Sequence, residues 1–433
     1  MSSAYRAIEY LIDIGPVILI PGILFLAGLF ATRNILKNLK NCVFIFLGML
    51  SVTILITMFV NFFEPLVNTI LISSLKEYTI IDTGWAVTKA ISFNSPIVLY
   101  IIIAVFGLNI IMLLLRFTRT INIDLWGYWS FFLAGSIIYA ITGIEWLGIL
   151  ISVIVAAVTF VFADIYAHHI ETYYGIRGIS NTQAHIICWA PFSHMVNIIL
   201  NKIPFIKGVH LFYGEIQYKL GIFSEPMIAG FILGFIIGII TRFRTISLDL
   251  GPDLLFALLS GVRLSIIMIL LPRAVNLLLK GLVPSVNDIR SLIRRRFTQR
   301  TIYIGLDSIV LVGHPSVIGL SVVLIPLTVY ISTILPGNQV LPSADLVLIP
   351  FLIIWAATIS QGDLFRSFIS SVLIIPLVLW ITTDMGQVFT NFFIKYEFAL
   401  TDGYSGVSSI GAGSNIFFWV ILQIIKPIIN LFV

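Results

Sequence analysis

Charge is scarce in this chain. Asp, Glu, Lys and Arg together make up 10% of its 433 residues, where a soluble chain carries roughly 25%. That deficit excludes a water-soluble globular fold, since too few polar side chains exist to cover a surface of this size. The formal net charge of +5 reflects where basic loops fall, and nothing in it supports nucleic-acid binding. Cysteine is scarcer still. Cys42 and Cys188 stand in apolar contexts without metal-ligand spacing, which excludes a disulfide framework and reads as buried thiols. A cleavable signal peptide is not expected, because Arg6 alone precedes the first apolar run and no small-residue cleavage pattern follows it. No Ser-His-Asp spacing, phosphate-cradling glycine loop or metal motif stands out. Neither a metal nor a cofactor is therefore expected.

What is present is long apolar sequence. The chain is 59% hydrophobic with a mean hydropathy of +1.07, so most of that surface must face lipid or other membrane helices. A bilayer-spanning helix needs about 20 apolar residues. Candidates are Ile14–Thr32, Cys42–Asn61, Ile97–Arg116, Trp126–Ile141 and Trp146–Phe162. After a polar stretch come Ile222–Thr241, Leu254–Leu279, Val317–Leu335, Ala344–Ile359, Phe365–Ile381 and Ile416–Val433. The expected fold is an all-α polytopic membrane protein of about 11 transmembrane helices.

An internal repeat orders these spans. Pro65-Leu66-Val67-Asn68 returns 219 residues later as Pro284-Ser285-Val286-Asn287, and Pro96 returns at the same offset as Pro315. Asp124 pairs with Asp345 at an offset of 221, and Gly15-Pro16 with Glu225-Pro226 at 210. Basic clusters occur at Arg33, Lys37 and Lys40, at Arg116 and Arg119, and at Arg290, Arg294, Arg295, Arg296 and Arg300. Placing all three in the cytoplasm makes the two copies inverted, five helices each. Arg242 and Arg244 then fall outside, against the rule. The expected organisation is a first repeat over 1–165, an interfacial amphipathic connector over 166–220, and a second repeat over 221–382. The segment 383–433 completes it with an outer loop and a last transmembrane helix that brings the C-terminus into the cytoplasm. Ala184–Leu200 is apolar enough to raise the question of a further crossing, but Pro191, Ser193, His194 and Asn197 favour an interfacial helix.

Two stretches are too apolar for loops and too polar for lipid: Asp82–Pro96 and Gly305–Pro315. Gly84, Gly305 and Gly313, with Pro96 and Pro315, supply turn and break chemistry. Both read as re-entrant hairpins closing a polar site, an arrangement common to transporters with inverted repeats.

At these hairpins the chain resembles the galactitol-type membrane component (IIC) of the bacterial phosphoenolpyruvate-dependent sugar phosphotransferase system. The resemblance runs through DIGP at Asp13–Pro16, DTGW at Asp82–Trp85 and RFTRTINIDLW at Arg116–Trp126. It continues in Glu225-Pro226, GLDSIVLVGH at Gly305–His314, PGNQVLPSADL at Pro336–Leu346 and QGDLFR at Gln361–Arg366. It implies a fold similar to the ascorbate-type transporters, a homodimer whose protomers pair a scaffold with a mobile core. It also implies a polyol substrate, cytoplasmic IIB and IIA partners that carry the phosphotransfer chemistry, and a bacterial inner-membrane location among lipid. Two departures fall where a polyol would be contacted. Gly84-Trp85-Ala86-Val87 stands where the family has GWPG, and Thr182-Gln183-Ala184-His185-Ile186 where it has a segment like PHGTS.

Candidate substrate-binding residues follow, each with a plainer alternative. Glu225 would accept two sugar hydroxyls or merely start an apolar helix. Asp307 and His314 line the second hairpin, or cap a helix and satisfy a buried hydrogen bond. Asp82 is equally ambiguous, and Trp85 would stack on a sugar or anchor its hairpin. Gln183 and His185 enter the amphipathic stretch, where an interfacial loop is the alternative. Gln361 precedes Asp363, itself read as a helix cap. The function expected is a sugar-alcohol-translocating subunit, not itself an enzyme, that delivers substrate by an elevator-like movement for phosphorylation on a partner chain. An ion-coupled secondary transporter of a sugar or polyol, with Glu225, Asp307 or Asp82 as proton site, fits the repeat equally well.

Overall fold

The computed structural model describes residues 16–32, 34–73, 76–124, 127–242, 250–296, 301–398 and 403–429. Asp13, Ile14, Gly15, Arg33, Trp126, Arg244, Arg300, residues 430–433 and the side chains of Arg294, Arg295 and Arg296 lie outside them. The first half runs α1 (Pro16–Thr32), α2 (Ile35–Ser73), β1 (Ile80–Asp82), α3 (Gly84–Phe93), α4 (Val98–Leu114), β2 (Thr120–Asn122), α5 (Trp129–Thr142) and α6 (Glu145–Tyr174). Next come β3 (Ile179–Asn181), α7 (Ala184–Ile187), α8 (Ala190–Lys202), α9 (Pro204–Lys207) and α10 (Tyr213–Leu220). The second half repeats the pattern in α11 (Pro226–Arg242), α12 (Leu250–Arg296), β4 (Tyr303–Leu306), α13 (Ile309–Val312), α14 (Pro315–Ile334) and β5 (Val340–Leu341). A 3₁₀ turn at Ala344–Leu348 leads to α15 (Ile349–Leu352), α16 (Ile354–Ile359), α17 (Leu364–Asp384), α18 (Gly386–Lys395), β6 (Gly406–Ser408), α19 (Ile410–Gly413) and α20 (Ile416–Ile429).

This is a polytopic helical membrane protein. Among the described residues, five helices are long and apolar enough to cross a bilayer: Ile35–Ile72, Glu145–Tyr174, Gly251–Ile293, Pro315–Ile334 and Leu364–Asp384. Helices α3 and α4 pass the same test as a pair but are bent by 97° at the break between them, as a broken span or a re-entrant loop would be. Apolar helices too short to pass that test overlap the remaining expected stretches. Pro65 and Pro284 lie inside the long helices α2 and α12, which run on past the expected span ends at Asn61 and Leu279. Membrane helices keep such prolines because neighbouring groups re-satisfy the freed carbonyl.

Four helices, α1, α2, α11 and α12, pack as one bundle, with α11 against α12 and α12 against α2 the most extensive contacts. The α11–α12 seam uses Gly230, Gly234 and Gly238 at four-residue spacing. Added Cβ atoms there would lie 2.9 Å from Ser265 Cα, 2.5 Å from the Ser260 carbonyl and 2.7 Å from Ala257 Cα. Small residues that let backbones approach are the usual seam between membrane helices, where hydrophobic drive is absent. The α2–α12 seam is as tight, because a Cβ on Gly48 would run into the backbone of Leu278. Gly48→Val is therefore expected to destabilise the bundle by about 1–3 kcal/mol through overpacking. A fall in the thermal unfolding midpoint of purified protein in detergent would register it.

The remaining elements form a second body around two small parallel sheets, which the sequence did not announce. One sheet has the strand order β5-β1-β6, the other β2-β4-β3. Each takes its middle strand from one half of the chain and its flanks from the other. Strands of two to four residues carry no usable periodicity, and their parallel partners lie far away in sequence. In the first sheet Ile80 pairs with Val340 and Gly406; in the second Ile304 pairs with Ile121 and Ile179. The 166–220 stretch also divides differently from expectation. Helix α6 extends to Tyr174, and Ser180, Asn181, Thr182, Gln183 and His185 are buried in the core. Only α9 and α10 lie largely exposed, linking this body to the bundle.

Candidate functional site

Three parallel strands end together in each sheet, and each is followed by a short helix or turn with unpaired N–H groups at its start. The sequence answers both ends with side-chain acceptors. In the first sheet the acceptors are Asp82 and Asp345. Asp82 Oδ1 accepts from the N–H groups of Gly84 and Ile410, both at 3.2 Å, and Oδ2 from those of Asp345 at 2.7 Å and Ser343 at 3.3 Å. Asp345 accepts from Trp85 N–H at 2.7 Å, Gly411 N–H at 2.9 Å and the Ser409 hydroxyl at 2.5 Å. Both carboxylates are sealed from solvent, and their acceptor capacity goes into fastening the hairpin.

At the second sheet Asp124 is buried and accepts from Gly127 N–H at 3.0 Å, whereas Asp307 faces a cavity. Asp307 Oδ1 accepts from Ile309 N–H and Oδ2 from Gln183 Nε2, each at 2.7 Å, while Gln183 Oε1 accepts from Ser308 N–H at 3.2 Å. Asn181 braces the same turn by donating to Ser308 Oγ at 2.7 Å. Gln183 and Asp307 are thus locked to each other, and both line a cavity of about 640 Å³.

That cavity lies between the bundle and the second body. The bundle contributes Thr53, Thr57 and Asn61 of α2 to a mostly apolar wall, and the other body contributes Trp85, Lys89, Trp129, Gln183, His185 and Asp307. The aromatic rings make one surface: Trp85 and Trp129 have centroids 6.3 Å apart, and His185 lies 4.6 Å from Trp129. The Lys89 ammonium sits 4.6 Å above the Trp85 ring. A cavity with aromatic faces, amides, hydroxyls and one carboxylate suits a small polyhydroxy ligand, whose C–H faces stack while its hydroxyls donate and accept.

Of the residues singled out from sequence, Trp85, Gln183, His185 and Asp307 come together here. The others sit elsewhere. Asp82 is in the sealed knot. His314 caps α14, its Nδ1 accepting from Ser316 N–H at 3.3 Å and lying 2.8 Å from the Tyr173 hydroxyl. Glu225 is exposed at the entrance to α11. Gln361 occupies a turn with φ +51°, its Nε2 donating to the Thr358 carbonyl at 3.1 Å. Asp363 caps α17 as expected, accepting from Phe365 and Arg366 N–H. Sequence reasoning missed Lys89, Trp129, Thr53 and Thr57. Two signals were available: Lys89 follows Trp85 by one helical turn, as Thr57 follows Thr53, and a lysine within a re-entrant hairpin is a functional candidate by default.

Comparison with known proteins bears on what this cavity serves. Residues 10–403 match the family model described as PTS system sugar-specific permease component, and the chain belongs to that family. It is 31% identical over 418 residues to a protein of Escherichia coli (strain K12) named putative permease IIC component, covering 96% of this chain and 93% of that protein. It is 29% identical over 422 residues to the PTS system galactitol-specific EIIC component of the same organism, covering 98% of this chain and 91% of that one.

Proposed function

We propose that this chain is the polyol-translocating subunit of a phosphotransferase system, carrying galactitol or a closely similar sugar alcohol. The observation that carries the reading is the aromatic and polar cavity between the bundle and the second body, in a chain of the sugar-permease family. The substrate binds against Trp85 and Trp129 and hydrogen-bonds Gln183 and Asp307. The second body then moves as an elevator core against α1, α2, α11 and α12, exposing the ligand to the cytoplasm. There a separate IIB partner, charged by IIA, phosphorylates it, and the phosphate traps the product inside. This subunit supplies the binding geometry and no covalent chemistry, and it works as a homodimer in the bacterial inner membrane.

The two halves are inverted copies that exchange strands, so that each middle strand is flanked by the other copy. Helices α8 and α20 hold matching places in this scheme, each following a short helix after a flanking strand. Both are re-entrant rather than spanning. Ten crossings result instead of eleven, and the C-terminus lies outside, opposite to the orientation expected from sequence.

Uptake into vesicles tests the reading. Labelled galactitol should accumulate as its phosphate only when the phosphorylated partners are enclosed. Trp85→Ala should lower that uptake by roughly two- to twelvefold, given the ~0.5–1.5 kcal/mol typical of aromatic stacking. Accumulation of unmodified polyol driven by a proton gradient would instead establish an ion-coupled carrier.

A further inference from the structure

Among the described residues that line the cavity, Lys89 and Asp307 carry the only full charges. They come from different hairpins, Lys89 from α3 and Asp307 from the turn between β4 and α13. Both line the same cavity, so a bound ligand meets the two charges together. Neither can readily turn away. Asp307 is held on both oxygens by Ile309 N–H and Gln183 Nε2, and Lys89 rests on the Trp85 ring. We propose that this pair is a charge filter, which confines the site to uncharged polyhydroxy ligands. The inference rests on the sugar-transport reading above.

The physics runs through the cost of an unmatched charge in a poorly solvated site. While the pair is intact the cavity is neutral overall. A neutral polyol can donate to Asp307 and accept from Lys89 at once, because every hydroxyl does both. An anionic sugar acid must place its carboxylate against Lys89, and so beside Asp307, where like charges repel. An amino-substituted polyol meets the converse problem at Lys89. Specificity would thus come from repulsion built into the site as much as from attraction. Removing one member leaves the other uncompensated, and a ligand of opposite charge would then restore neutrality. The filter should therefore be invertible.

Calorimetric titration of the purified protein with galactitol, galactonate and 1-amino-1-deoxygalactitol tests this. The unaltered protein should bind galactitol at least about tenfold more tightly than either charged analogue, the size of one charge-assisted hydrogen bond. Asp307→Asn should gain about tenfold for galactonate, and Lys89→Met about tenfold for the amino compound. Because a lone buried charge can unfold the chain, Lys89→Gln/Asp307→Asn carries the same question without one. Its preference for galactitol over galactonate should fall by about tenfold. An unaltered protein that binds galactitol and galactonate alike overturns the filter while leaving transport intact, as does a double variant that keeps the original ranking. An unaltered protein that binds none of the three overturns the transport reading and the filter with it.

Discussion

Asp345→Ala is expected to abolish the accumulation of folded protein in the membrane. Asp345 is fully buried and its carboxylate receives two backbone N–H groups and one hydroxyl, from segments as distant as Trp85, Ser409 and Gly411. Alanine removes all three acceptor interactions while leaving the donors where water cannot reach them. Each orphaned donor costs about 1–3 kcal/mol, so the loss approaches the whole stability of a typical domain, about 5–15 kcal/mol. The damage is not local. Trp85 N–H is one of the donors, so the same change frees the hairpin that presents Trp85 and Lys89 to the cavity. Asp345→Asn separates the two effects: it retains an acceptor oxygen, and its amide group meets N–H donors at the second position. Asn should therefore yield some folded protein with a lowered unfolding midpoint, and Ala essentially none. Folded yield by size-exclusion chromatography in detergent distinguishes them. Equal yields of Ala and unaltered protein would remove Asp345 from any structural role.

The comparison of Asp82 with Asp307 shows what the sequence could and could not tell. Each carboxylate stands at the end of a middle strand and accepts from the N–H group two residues on. From sequence the two are indistinguishable, each an acid beside a glycine-bearing turn in an apolar setting. Only the assembled fold decides that Asp345 and Ile410 close over one while the other faces the cavity. Apolar runs were legible because lipid imposes length and composition directly, and the helix breaks around 82–96 were legible because they are written as Gly and Pro. The sheets were not, since such short parallel strands depend on partners far away in sequence, as Ile80 does on Val340 and Gly406. Glu225 drew attention as an acid beside an apolar helix. Its exposure reflects the exit of α11 from the polar connector, something composition alone does not distinguish from burial in a site.

A cysteine at Lys426 should react with a membrane-impermeant maleimide in intact cells, and one at Tyr218 only after permeabilisation. The reasoning follows the two ends of α17. At its start Asp363 meets His210 of the connector at 2.8 Å, and Arg366 donates to Asn201 at 2.7 Å. The same end holds the C-terminus of α6, where Tyr174 OH lies 3.2 Å from Thr358 Oγ1. From there contacts lead to the basic ends of the long helices: Ile304 N–H donates to the Gly178 carbonyl at 2.9 Å, Arg290 Nε to that of Ile302 at 3.1 Å, and Lys37 pairs with Asp288 at 2.5 Å. Basic loops stay in the cytoplasm, so the start of α17 and the connector belong there. With 21 residues at about 1.5 Å each, α17 spans the roughly 30 Å hydrocarbon layer, and its far end is outside. At that far end Asp384 binds Trp419 Nε1 at 2.8 Å, Gln423 Nε2 at 2.5 Å and Lys426 at 3.6 Å. Helix α20 is therefore expected to run outward from the core, as proposed above. Arg242, which also falls outside, weighs little against this, because it pairs with Asp253 at 3.7 Å and lies over the Phe256 ring. The assay needs Cys42 and Cys188 replaced by serine or alanine, and Tyr218, 91% exposed, is a suitable inner marker. The outcome is all or none at each position. Labelling of Tyr218→Cys from outside with Lys426→Cys protected would reverse the topology.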